Sequence, residues 1–331
     1  MATFNWLLPM KDNLVLNTIM SRITDADRIL VYRHTNPDPD AIGAQMGLVQ
    51  LLATAFPSKT VVAMAAVPQR LAWLGVTDEQ SVTPQATDLV IAVDCANAER
   101  LEGQLPADAL IIKIDHHPNR DPYGQLNWVD ESYSSCSEMI YDLYAYTTGQ
   151  LTMTAAVATA LYAGIIGDTV RFSTPETSSR TLTIAASLAT EEIDIAAISH
   201  HEMDLTPALS KLSGYALSHQ VDDGDGLVHV IISQTHFEQL GLQYGEEDVL
   251  VPLLGNQTTA KVWLWFIETP EGNYRVHFRS RAIPVNDVAK VFDGGGHPLA
   301  SGAFVPDIAT IERVVQRMRA QVVAKTVVSS V

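Results

Sequence analysis

Short runs of unbroken apolar residues alternate with longer mixed stretches through the first half of the chain. Ile29-Leu30-Val31-Tyr32, Thr60 to Met64, Asp88 to Asp94 and Ala109 to Asp115 are too short for buried helices and lack the in-out alternation of a half-exposed strand. They read as strands covered on both faces, the pattern of a parallel sheet flanked by helices. Residues 12–24 carry apolar positions at helical spacing, and helices are expected from Ala44 to about Phe56, from Ser134 (as N-cap) to Tyr146, and from Thr177 to Ala189. The stretch from Thr154 to Gly167 is apolar nearly all round and reads as a buried helix.

The pattern changes further on. Residues 191–214 stay helical but turn more polar, and they read as a connection between a first domain (1–190) and a second (215–331). Strands are expected at Gly226 to Ile232, Ala260 to Ile267 and Asn273 to Ser280, the last two joined by a turn at Thr269 to Asn273. A short helix, Asp287 to Phe292, precedes a glycine-rich stretch, Asp293 to Ala303, and a closing helix from about Asp307 to Val323. The fold class is therefore α/β: a mostly parallel sheet with flanking helices, plus a smaller α+β domain. At 331 residues the chain exceeds what one core comfortably fills.

Polar residues interrupt the pattern at chemically suggestive places. The first strand runs into Arg33-His34-Thr35-Asn36-Pro37-Asp38-Pro39-Asp40, a loop stiffened by two prolines that presents one imidazole and two carboxylates. The third strand ends at Asp94 and the fourth at Asp115-His116-His117. The buried helix ends at Asp168, where an isolated charge would be costly without a partner. Parallel sheets bind ligands beyond the carboxyl ends of their strands, so these residues are expected to converge. His34, Asp38, Asp40, Asp94, His116 and Asp168 form an oxygen-rich donor set with some imidazole, which suits Mn²⁺ or Mg²⁺ better than structural zinc. They are too many for one ion that must also bind water, and about right for two ions sharing a carboxylate. Such a pair can clamp an in-line phosphoryl displacement. Gly294-Gly295-Gly296-His297 can expose an anion-binding row of backbone N–H groups, with Arg279 and Ser280 as further phosphate or ribose contacts in an interdomain cleft.

Composition narrows the partners. The net charge of −17 argues against a long nucleic acid, whose binding needs Lys and Arg, but leaves room for a small anion at a metal site. Cys95 and Cys136 lack metal or disulfide spacing and read as free thiols. No apolar run reaches membrane-spanning length and no signal peptide is evident, so the cytoplasm is expected. Phe172 reads as core packing, Trp263 and Trp265 as core or interface, and His200, His201, His219, His229, His236 and His277 fall outside any ligand pattern.

Taken in order, His34-Thr35-Asn36-Pro37-Asp38-Pro39-Asp40-Ala41-Ile42-Gly43, Val93-Asp94, Asp115-His116-His117, Gly167-Asp168-Thr169, Phe278-Arg279-Ser280 and Gly294-Gly295-Gly296-His297…Ala300-Ser301-Gly302 resemble the motifs of the DHH/DHHA1 phosphoesterases. The resemblance covers nearly the whole chain, and its length and layout are those of the small oligoribonuclease (nanoRNase) and pAp phosphatase branch. It implies Mn²⁺ as the working metal, with Mg²⁺ or Co²⁺ as substitutes. It places His34 and Asp38 on one ion, Asp40, His116 and Asp168 on the other, and Asp94 between them. Asp115 would orient its neighbours and His117 would touch the substrate phosphate. The implied substrates are very short oligonucleotides, 3′-phosphoadenosine 5′-phosphate (pAp) and pApA, the linear product of cyclic-di-AMP; a homodimer is family habit. A pyrophosphatase or polyphosphatase, and a nucleotide sensor without turnover, are the competing expectations. Asp293 stands where a further glycine is frequent in the family, and Gly167 and Val170 where Thr and Gly are frequent.

Overall fold

The computed structural model describes residues 13–75 and 82–328. Asp12, the first residue of the expected opening helix, and residues 76–81 of the loop before the third strand lie outside the described residues. The chain forms two compact units that divide between Asp204 and Leu205.

The first unit is built on the strands β1 (Arg28–Tyr32), β2 (Thr60–Ala63), β3 (Leu89–Val93), β4 (Leu110–Asp115) and β5 (Leu126–Val129), in spatial order β2-β1-β3-β4-β5. Every neighbouring pair is parallel. Its helices are α1 (Asn13–Asp25), α2 (Pro39–Ala55), α3 (Cys136–Tyr146), α4 (Ala155–Asp168), α5 (Ser179–Leu188) and α6 (Ile195–Met203). Alternate strand residues Ile29, Val31, Leu89, Ile91, Ile112 and Ile114 pack on residues from these helices. The intervening Leu30, Tyr32, Val90 and Ala92 face a smaller apolar cluster that includes Leu101 and Cys95. Both faces are thus covered, as unbroken apolar strands require.

One strand went unread and one local expectation is corrected. β5 carries Leu126-Asn127-Trp128-Val129, too short and mixed to stand out from its loop. The N-cap of α3 is Ser135, whose side chain accepts from the Glu138 N–H at 3.1 Å. Ser134 instead donates its hydroxyl to the Glu138 carboxylate at 2.6 Å, so adjacent serines split the capping work.

α2 and α4 pack closely. A Cβ added at Gly43 would strike the Ala160 carbonyl oxygen, and one at Gly164 would meet Ser137 Oγ and, at 2.7 Å, Asp40 Oδ1. Glycine is what lets these helices, each carrying a carboxylate of interest, approach at the sheet's edge.

The second unit comprises α7 (Pro207–His219), β6 (Val221–Gly224), β7 (Leu227–Ile232), α8 (Gln234–Leu240), α9 (Leu253–Gln257), β8 (Val262–Glu268), β9 (Tyr274–Ser280), α10 (Asn286–Val291), β10 (Gly295–His297), β11 (Ala300–Val305) and α11 (Ile308–Val328). Its mixed sheet has the order β10-β11-β9-β8-β7-β6, with only β7 and β8 parallel. Trp263, Trp265 and Ile267 bury one face together with Leu209, Phe237 and Leu254. Val262, Leu264, Phe266, Val276 and Phe278 bury the other with Val314 and Met318. The tryptophans are core residues, as their alternation suggests. Among the described residues no helix is long and apolar enough to cross a membrane.

Candidate metal centre

Each chemically marked residue of the first unit comes from the carboxyl end of a strand or from a helix end beside it. His34 follows β1, Asp94 follows β3, and Asp115 is the last residue of β4, with His116 and His117 next. Asp38 is the N-cap of α2, its Oδ1 accepting from the Ala41 N–H at 3.0 Å; Pro39 in the first turn costs nothing, since its N–H would be unpaired there. Asp40 lies one residue into the helix, and Asp168 closes α4.

The structure brings these side chains together around Asp94. His34, Asp38 and Asp94 form one group with ligand-type atoms mutually within 4.8 Å, and Asp40, His116 and Asp168 form another. Asp94 joins them: its Oδ2 is 3.4 Å from His34 Nε2 and its Oδ1 is 3.4 Å from His116 Nε2. His116 Nε2 also lies 3.1 Å from Asp168 Oδ2 and 4.0 Å from Asp40 Oδ2. His117 is grouped with Asp94 and His116. Asp94 takes a left-handed backbone conformation (φ 50°), unusual without glycine, while its N–H pairs with the Ile114 carbonyl at 3.0 Å.

The electrostatics call for positive charge. The His34 imidazole is pushed up to about 11: burial opposes the charge, but Asp38 and Asp94 outweigh it. Burial, with Asp168 and Asp94, pushes the Asp40 carboxyl well above its ordinary value, and burial pushes Asp168 up to about 6. Carboxylates crowded in a water-poor pocket repel one another unless a cation sits among them.

Hydrogen bonding makes the same case. His34 Nδ1 is 2.8 Å from the Thr35 carbonyl oxygen and 3.3 Å from Arg100 Nη2. A carbonyl can only accept, so the shorter contact puts a proton on Nδ1, and a bound cation would take the place of the proton that Nε2 otherwise shares with the two carboxylates. Asp94 Oδ1 and His116 Nε2 are buried and have no hydrogen-bond partner. Buried polar atoms are rarely left so, and metal coordination would satisfy both. The donor set fits divalent cations that accept oxygen and imidazole.

Sequence reasoning missed what holds the ring. Asp40 Oδ2 accepts from the Cys136 N–H at 2.6 Å and Oδ1 from the Ser137 N–H at 2.9 Å, so the N-terminus of α3 grips this carboxylate. Asp115, expected to orient its neighbours, has Oδ1 2.8 Å from His117 Nδ1; unread in the sequence is the buried Lys113, whose Nζ is 3.3 Å from Asp115 Oδ2. Glu202 in α6 also went unread; burial and Asp38 push its carboxyl up to about 7 against Arg70 and Arg171. Backbone contacts 96 residues apart and a lone Glu on a polar helix leave no spacing signal. After Asp168, Val170, Arg171 and Phe172 all have positive φ (45°, 55° and 64°), a strained turn for a β-branched valine. Phe172 packs on the core, as expected.

In the second unit, the expected glycine loop is a hairpin, β10 to β11, in which Gly295 pairs with Gly302 and His297 with Ala300. A Cβ at Gly294 would collide with the Gly302 carbonyl oxygen, and one at Gly296 (φ 136°) would meet the Ala300 carbonyl oxygen at 2.6 Å. Gly295 faces open space. Arg279 is partly buried and donates to the Phe278 and Ser301 carbonyls at 3.0 and 3.3 Å. The Ser280 hydroxyl is committed to its own turn, accepting from Ile283 N–H at 2.8 Å and donating to the Lys261 carbonyl at 3.2 Å. It has no spare proton for a phosphate.

A parallel sheet edged by paired imidazoles and carboxylates, followed by a mixed-sheet unit with a glycine hairpin, defines a class. Residues 28–165 match the DHH family, N-terminal domain, and residues 227–324 match the DHHA1 domain. The chain belongs to the DHH/DHHA1 phosphoesterase family and is an enzyme of it. It is 40% identical over 304 residues to the probable bifunctional oligoribonuclease and PAP phosphatase NrnA of Streptococcus mutans, a match covering 91% of this chain and 97% of that protein. It is 38% identical over 281 residues to the bifunctional oligoribonuclease and PAP phosphatase NrnA of Bacillus subtilis, covering 84% and 90%. An exopolyphosphatase-related protein from Bacteroides fragilis shares the fold with a TM-score of 0.82 at 20% identity, covering 93% of this chain and 97% of that one.

Proposed function

We propose that this enzyme is a Mn²⁺-dependent phosphodiesterase and phosphatase that hydrolyses very short oligonucleotides, including nanoRNA and pApA, and pAp, to mononucleotides. The observation that carries the reading is Asp94, buried between two ligand groups with one oxygen 3.4 Å from each group's imidazole. The names of the Streptococcus mutans and Bacillus subtilis relatives support the substrate class.

Two divalent cations, when bound, supply Lewis-acid activation of water and of the phosphoryl oxygens. His34 and Asp38 would hold one and Asp40, His116 and Asp168 the other, with Asp94 shared. The chain's own groups do the rest. The α3 N-terminus fixes Asp40, and the Thr35 carbonyl fixes the His34 tautomer. Asp115 holds the His117 ring through Nδ1, and the ring so placed would contact the phosphate or pass a proton to the leaving oxygen. Arg279, Gly295 and His297 are the second unit's candidates for gripping the nucleotide. Gly294, Gly296 and Ser280 support that surface through the fold. A net charge of −17 favours a substrate of few phosphates over a polymer.

The test is product analysis with Mn²⁺ on pApA, pAp, a short RNA, cyclic-di-AMP and pyrophosphate, with an EDTA control. AMP from the linear nucleotides, abolished by EDTA, is the expected result. Phosphate from pyrophosphate alone would make the chain a pyrophosphatase, and tight nucleotide binding without turnover would make it a sensor.

A further inference from the structure

Glu247, Asp248 and His277 bring ligand-type atoms within 4.8 Å of one another in the second unit. The carboxylates come from the 3₁₀ turn Glu246–Leu250 and the imidazole from β9, where His277 sits opposite Trp265 in register. Glu247 and His277 are both buried, at 0% and 4% exposure. Glu247 Oε2 accepts from the Gly245 N–H at 2.7 Å, but Oε1 has no hydrogen-bond partner. His277 Nε2 has none either and faces Asp248 Oδ1 at 3.4 Å. The Trp265 indole N–H, on the strand next to His277, is likewise buried and unpartnered. Two orphaned ligand-type atoms in one cluster, Glu247 Oε1 and His277 Nε2, are not explained by packing.

An ordinary ion pair does not explain them. His277 Nε2 and Asp248 Oδ1 stand 3.4 Å apart without a hydrogen bond between them. Arg275 Nη1 is 3.3 Å from Asp248 Oδ2, which leaves Oδ1 turned to His277, the outer contact that orients a ligating carboxylate. Arg279 Nη1 donates to the Phe278 and Ser301 carbonyls.

We propose that Glu247, Asp248 and His277 form a further divalent-cation site in the second unit, of a kind that takes Zn²⁺ or Mn²⁺ in preference to Mg²⁺. One imidazole and two carboxylates make that preference, since Mg²⁺ favours all-oxygen shells. An ion there ties the Glu246–Leu250 turn to β9 two residues from Arg279.

The test strips the full-length protein with a chelator and measures Zn²⁺ and Mn²⁺ bound per chain by equilibrium dialysis and elemental analysis. Wild type is compared with Asp248→Ala, His277→Gln and Glu247→Gln, each checked for folding by circular dichroism. The Asp248 side chain is 42% exposed, so its truncation leaves the core intact. The expected result is one equivalent fewer in every variant, with Zn²⁺ raising the melting temperature of wild type more than that of Asp248→Ala. Equal stoichiometry in wild type and Asp248→Ala would overturn the proposal, and so would a wild-type protein that takes up Mg²⁺ there as tightly as Zn²⁺.

Discussion

The two regions implicated in chemistry are built on opposite principles. In the first unit, the candidate side chains stand at or beside the ends of regular elements, half of them are buried, and contacts with backbone or side chains hold them. In the second, they sit at the end of β9 and on a three-residue strand whose glycines answer mainly to the chain's own carbonyls. Rigid strand ends hold charges that repel one another, whereas a close-packed hairpin can hold little more than its own backbone. Functional geometry is therefore over-determined in one region and marginal in the other.

The largest effect that could break this contrast is at Asp94. Asp94→Asn removes the charge that stands between the two ligand groups, and kcat is expected to fall by at least about 10³-fold with the fold intact by circular dichroism. Retained Mn²⁺-dependent activity would show that the ring does not work as one centre. Asp115→Asn should cost less, about 10–100-fold, because it acts through the orientation of His117; steady-state kinetics on pApA would read it.

The hairpin makes a sharper comparison. Gly294→Ala forces a Cβ onto a backbone oxygen, and a loss of about 1–3 kcal/mol in urea unfolding is expected. Gly295→Ala meets open space, so its unfolding midpoint should stay put while KM rises ~10-fold from poorer approach of the substrate. If both variants lose only stability, the hairpin is scaffold and not a binding surface.

The smallest effect lies far from the chemistry. Asp88 pairs with Arg28 through both oxygens, at 2.6 and 2.7 Å, and although burial opposes it, this partner holds the carboxyl below its ordinary value. A depressed carboxyl stabilises the fold above its unfolded pKa of about 3.9 and loses that contribution as pH falls through the folded value. Asp88→Asn should remove about 1 kcal/mol at pH 7 and flatten the stability curve below about pH 4, as read by denaturant midpoints across pH.

Much of the first unit was legible because burial on both faces makes strands apolar throughout, so the polar residue that ends each one stands out: Asp94 after Leu89–Val93, Asp115 after Leu110–Ile114. Asp168 was visible for the same reason at the end of an apolar helix. The grip of Cys136 and Ser137 on Asp40 was not, because backbone N–H groups carry no residue identity. β5 and β6 escaped notice because short edge strands lack a complete apolar run. The Glu247–Asp248–His277 group was invisible because a turn and a strand meet there only through tertiary packing.

The bond between Asp40 and the α3 N-terminus has a kinetic side. It joins the second helix of the chain to the third across 96 residues, so the ring is incomplete until a long loop has closed and α3 has docked. Loop closure of that length is slow compared with helix formation. A nascent chain would thus acquire its metal-binding power late, after most of the sheet is paired. In the finished enzyme, cation loading should be felt at a distance as slower amide hydrogen exchange at Cys136 and Ser137, two probes that report occupancy without any substrate turning over.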